Sequence, residues 1–183
     1  MSNNNRKRAK TTSKTVSLMA MLFVLAMVLS FVENIFTAGL QLPLGIKPGL
    51  SNIITMYCLF FLGKKYAYSL TFLKSMFVFL TRGGTASALS LAGGLFSITL
   101  MVMLSMPRKL NLSYTVLSIA GAVGHNMAQI VIASFILGLS QQVSVGLIPL
   151  LLITGIGMGV VTGFVLKLVY PALERLNINP EIE

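Results

Sequence analysis

A chain of 183 residues that is 55% hydrophobic and only 10% charged could not cover its own surface in water, since soluble domains carry about 25% charged residues. Its formal net charge of +10 would suit nucleic acid, but five of the fourteen bases lie in the first fourteen positions and most others flank apolar runs. Bases placed in this way set membrane topology and meet anionic headgroups, so a lipid bilayer is the expected partner and nucleic acid is not.

In chain order, residues 1–14 are Asn, Ser, Thr, Lys and Arg and read as a disordered basic cytoplasmic tail. The apolar run that follows exceeds a signal-peptide core of roughly 7–15 residues, so an uncleaved first span is expected. Six apolar stretches, near 16–38, 49–62, 66–81, 87–106, 113–138 and 144–170, predict an all-α membrane protein with a six-transmembrane-helix bundle over 15–170. The second and third stretches are short for a hydrocarbon core of about 30 Å. Pro43 and Pro48 mark an irregular outer loop before the second. Residues 171–183 form a short cytoplasmic C-terminal tail.

The loop charges orient this division. With the N-terminus inside, eleven bases fall on the inner side and Lys47 and Arg82 on the outer, with Lys74 inside a span. The positive-inside rule then predicts a multi-pass protein of the cell membrane with both termini cytoplasmic.

Small residues recur on single helix faces. Gly155, Gly159 and Gly163 lie four apart in the last span, as do Ala86, Ser90 and Gly94 in the fourth. Such stripes let backbones approach closely, either within the chain or against another membrane subunit.

Polar side chains in the spans cost on the order of 2.5–3.5 kcal/mol each and mark cavities or partners. They are Glu33, Asn34, Asn52, Lys74, Arg82, His125, Asn126 and Gln129, with Lys47 in the outer loop. In the six-span orientation they gather from mid-depth outward, as the lining of a pocket open to the outside would. Gly121, His125 and Gln129 share one helix face. The structural alternative is that Glu33 pairs with Lys74 and that His125 and Gln129 bond between helices. The excess of cations over Glu33 points to a small, anionic or carboxylate-bearing substrate.

Other chemistry is poorly provided for. Cys58 is the only cysteine, His125 the only histidine, and aspartate is absent, so neither a metal site nor a cofactor is expected. No phosphate-binding loop is present, so ATP could drive this chain only through partners. Without aspartate a Ser-His-Asp triad cannot exist, and catalysis is not expected.

Three segments carry a resemblance: 47–55, Lys-Pro-Gly-Leu-Ser-Asn-Ile-Ile-Thr; 85–97, containing Leu-Ala-Gly-Gly; and 121–129, Gly-Ala-Val-Gly-His-Asn-Met-Ala-Gln. Their order and spacing resemble the Gx transporter family, also labelled heptaprenyl diphosphate synthase component I, over roughly 16–168. The resemblance implies a bundle similar to the S components of energy-coupling factor transporters. Those bind substrate on the outer side and borrow a coupling subunit and two ATPase subunits. S components often dock through an Ala-x-x-x-Ala face in the first span, and here the nearest match is Ala26-x-x-x-Ser30. The resemblance thus implies substrate uptake. The synthase label implies instead an accessory subunit of isoprenoid or quinone metabolism, because a chain without aspartate cannot hold Mg²⁺-diphosphate as the catalytic subunit does. A stand-alone secondary transporter is a third reading, weakened by the lack of a repeat between the halves.

Overall fold

Six α-helices in sequence make up the computed structural model, which describes residues 2–39, 50–106, 112–138 and 140–175. They are α1 (Ser2–Gly39), α2 (Asn52–Tyr57), α3 (Lys64–Arg82), α4 (Gly84–Ser105), α5 (Tyr114–Leu137) and α6 (Gln141–Arg175). Four contain stretches long and apolar enough to cross a membrane: Thr15–Ile35, Gly84–Ser105, Tyr114–Leu137 and Val145–Leu168.

The expected six-span bundle is therefore corrected to four crossing helices among the described residues, with two intervening helices that do not qualify. The second apolar stretch is α2 continued by a turn of π-helix, Cys58–Leu62. Together, Asn52–Leu62 would rise only about 16 Å, half of a hydrocarbon core. Its apolarity has another cause: Ile54, Met56, Cys58, Leu59, Phe60 and Phe61 are all buried in the protein's own core. The third stretch, α3, has 19 residues, but Lys64, Lys65, Lys74 and Arg82 leave no window of membrane-spanning length with fewer than three cations. Its buried residues, Ala67, Leu70, Thr71, Lys74, Ser75 and Val78, form one face at helical spacing. The opposite face bears exposed Phe72, Leu73, Met76 and Phe79.

Local sequence explains the joints. Gly63 closes the π-helical turn, donating its N–H to the Cys58 carbonyl five residues back at 3.0 Å. Gly63 (φ 99°, ψ 166°) and Gly83 (φ 85°, ψ 178°) bracket α3 in a backbone region open essentially to glycine alone. Ser113 caps α5 by accepting from the Val116 N–H at 3.3 Å, and Gly138 ends it in the left-handed region. Hydroxyls inside the helices mostly satisfy themselves: Ser75, Thr81, Ser134, Thr154 and Thr162 each donate to the carbonyl four residues back.

Helices α3, α4, α5 and α6 pack in chain order, each against the next, while α1 leans mainly on α2 and α3. Glycine sets the approach of α5 and α6. A methyl on Gly159 would lie 2.4 Å from the Ile119 Cα, and one on Gly163 would lie 2.6 Å from the Thr115 Cα. On α1, Ala26 and Ser30 are buried and turned into the molecule, whereas Val24, Leu25, Val28, Phe31 and Ile35 face outward.

Candidate functional site

The inner face of α3 carries an ammonium group into the core. Lys74 is 3% exposed and donates to Ser51 Oγ at 3.1 Å and Asn52 Oδ1 at 3.0 Å. Both acceptors stand at the head of α2. The carboxylate of Glu33 reaches the same place from α1, where its Oε1 accepts from the Leu50 N–H at 3.3 Å. Glu33 is 1% exposed and lies within electrostatic reach of Lys74. One cation from α3 and one anion from α1 thus bond to neighbouring residues, 50–52, at the head of α2. An unpaired charge would be far costlier here than a paired one.

The imidazole of His125 approaches from α5 and also lies within the electrostatic reach of Lys74. Its seat is made by α4. A methyl on Gly93 would lie 2.7 Å from His125 Cε1, 2.9 Å from Nδ1 and 3.0 Å from Gln129 Cγ. On the adjacent residue, a methyl on Gly94 would lie 2.5 Å from Thr71 Cγ2 on α3. The Gly93-Gly94 pair therefore holds α3 on one side and α5 on the other, with no room for side chains between. Among the described residues the buried hydroxyls of Thr55, Thr71 and Ser118 have no hydrogen-bond partner, while the His125 ring lies against the Gly93 backbone.

Glu33, Asn52, Lys74 and His125 thus form one neighbourhood. Asn34 follows Glu33 on α1 and is half-buried, and Gln129 lies one turn beyond His125 against Gly93. Arg82 is exposed at the end of α3, two turns past Lys74, or about 12 Å along the helix. Lys47 lies outside the described residues.

Asn126 faces elsewhere, because one residue turns an α-helix by about 100°. Its Nδ2 donates to the Leu151 carbonyl at 2.9 Å and to Thr154 Oγ1 at 3.4 Å, fastening α5 to α6 beside Gly155. Replacing Asn126 with alanine is expected to cost about 1–2 kcal/mol of stability, from the lost hydrogen bond and the void. Denaturation in detergent checks this, and an unchanged melting curve would remove Asn126 from that joint.

Sequence reasoning missed Ser51 and Thr71. Thr71 could have been found from its spacing, since Thr71, Lys74 and Ser75 fall on one face of α3.

Four helices long and apolar enough to cross a membrane, with a short buried helix and a buried lysine on α3, define an all-helical, multi-span membrane protein. Residues 22–169 match the family described as heptaprenyl diphosphate synthase component I, and the chain belongs to that family. No curated protein and no solved structure matches it. Nothing in these comparisons joins the chain to S components, and the six-span bundle implied by that likeness is replaced by four crossing helices. The family description makes it component I of a synthase, a non-catalytic part and not the enzyme itself.

Proposed function

We propose that the chain is a non-catalytic membrane subunit acting beside a separate catalytic subunit in prenyl diphosphate synthesis. The observation that carries this reading is the family match, which takes in most of the first crossing helix and all of the other three. A product with a long prenyl tail partitions into lipid, and a membrane subunit would hold the synthase where that product leaves. The orientation belongs to the same reading. With α1, α4, α5 and α6 alternating, nine bases (the five at the N-terminus, Arg108, Lys109, Lys167 and Arg175) fall on one side, and Lys47, Lys64, Lys65, Lys74 and Arg82 lie between α1 and α4. Both ends are then cytoplasmic in the cell membrane.

The test is isolation of the tagged chain from its native membranes after mild cross-linking. An aspartate-rich prenyltransferase is expected to accompany it, and loss of the chain is expected to lower synthase activity in the membrane fraction. Recovery of a coupling subunit with ATPases, together with unchanged synthase activity, would overturn the reading.

A second reading is uptake of a small solute. It is favoured by the buried cluster around Lys74, because intramembrane ionisable groups commonly mark a substrate path. Solute accumulation in cells that requires both this chain and partner ATPases would support it over the first.

A further inference from the structure

We infer that the outer face of α3 is a lipid-contacting surface, on which Phe72, Met76, Phe79 and Leu80 meet the acyl chains of the bilayer. By itself α3 has no claim to that place, since Lys64, Lys65, Lys74 and Arg82 exclude it from the helices able to cross on their own. Its neighbours hold it there. A methyl on Gly94, near the middle of the crossing stretch Gly84–Ser105, would lie 2.5 Å from Thr71 Cγ2. On either side of that contact the Ser87 hydroxyl donates to the Ser75 carbonyl at 2.8 Å, and the hydroxyls of Tyr68 and Thr99 lie 2.9 Å apart. Residue numbers on α3 fall as those on α4 rise, so the two helices run antiparallel and side by side from Ser87 to Thr99. Against α1, the Phe77 ring meets Phe23 edge-on at 6.4 Å, again near the middle of a crossing stretch, Thr15–Ile35.

The distribution of charge along α3 fits that depth. From Tyr66 to Thr81 every exposed residue is uncharged, and the one charged residue there, Lys74, is buried and bonded inward to Ser51 and Asn52. The exposed cations stand at the ends, Lys64 and Lys65 beside Tyr66 at one and Arg82 at the other, as interfacial anchors do. From Lys65 to Arg82 the helix rises about 26 Å, against a hydrocarbon core of about 30 Å. Phe72, Met76, Phe79 and Leu80 are each more than half exposed. On α4, exposed Leu95, Thr99 and Met103 fall four apart on one stripe, and Thr99 is the residue bonded to Tyr68. The lipid-facing surface of a crossing helix thus continues onto α3. Water would hydrate this apolar face at a cost, whereas acyl chains cover both helices alike.

The inference concerns this chain alone and stands whether it assists a synthase or carries a solute. The test places a spin label on the full chain in nanodiscs of zwitterionic lipid, one site at a time, at Phe72→Cys, Met76→Cys and Phe79→Cys. Phe135→Cys on α5 is the lipid reference, and Gln142→Cys, ahead of the crossing stretch of α6, is the water reference. The parent chain, whose Cys58 is fully buried, is the blank. Oxygen partitions into acyl chains and a nickel chelate stays in water. The ratio of oxygen access to nickel access at the three α3 labels is expected to match that at Phe135→Cys and to exceed that at Gln142→Cys several-fold. All three substitutions are at exposed positions, so each variant should fold and gives its own reading. Nickel access on α3 equal to that at Gln142→Cys overturns the inference, because the face then lies in water. Exclusion of both probes also overturns it, because a protein surface then covers the face.

Discussion

Gly159→Ala is expected to be among the most destabilising single-methyl additions in this chain, with a cost at or above the upper end of the usual 1–3 kcal/mol for overpacking. The added carbon would sit 2.4 Å from the Ile119 Cα and 2.8 Å from the Ile119 nitrogen. Both are backbone atoms in the second turn of α5, so no side-chain rotation relieves the overlap, and the two helices must move apart. The stripe should give a graded series. Gly163→Ala, at 2.6 Å from the Thr115 Cα, should cost somewhat less, and Gly155→Ala, at 3.1 Å from the Val123 Cα, least of the three. Gly157 shares the helix but has nothing within 4 Å of an added methyl. Its alanine variant should match or slightly exceed the parent, as alanine is the better helix former. Chemical denaturation in detergent ranks the four. Equal stability of the Gly159 and Gly157 variants would sink the argument.

The second large effect is expected at the charged centre. Lys74→Met should cost about 3–5 kcal/mol, because it strands a buried carboxylate and removes the donor to Ser51 and Asn52. Glu33→Gln should also destabilise, by leaving Lys74 without its nearest described counter-charge. Combined, the two substitutions should cost less than their sum by about 1–3 kcal/mol, since the second removes the charge that the first left stranded. A double-mutant cycle measures this coupling. Strict additivity would mean that Glu33 and Lys74 do not stabilise one another.

The four crossing helices are legible in the sequence because their apolar runs face lipid as well as protein, and length together with freedom from charge distinguishes them. The two middle stretches mislead for a physical reason. Burial inside a protein and burial inside a bilayer select the same residues, so Ile54 to Phe61 reads as a span although it is a core helix. In α3 the lysine placed inside a span is buried and bonded to the head of α2. Glu33, Asn52, Lys74 and His125 stand out in the sequence because charge, amide and imidazole are costly in apolar runs, and all four are buried. Thr71 and Ser51 do not stand out, since hydroxyls in helices ordinarily satisfy themselves. Arg82 and Asn126 were grouped with the site by depth alone. Helical phase separates them from it: Arg82 lies two turns beyond Lys74, and Asn126 points to α6 rather than α4.

The order in which the chain is made gives the Glu33–Lys74 arrangement a further meaning. Synthesis runs from the N-terminus, so α1 leaves the ribosome with its carboxylate before α3, which carries the cation, exists. The Leu50 N–H that Glu33 accepts from also comes later. During that interval α1 has neither its counter-charge nor the helices it leans on. Its packing is complete only once those partners have been made. The seat of the first helix is therefore built from segments made after it, α2 and α3.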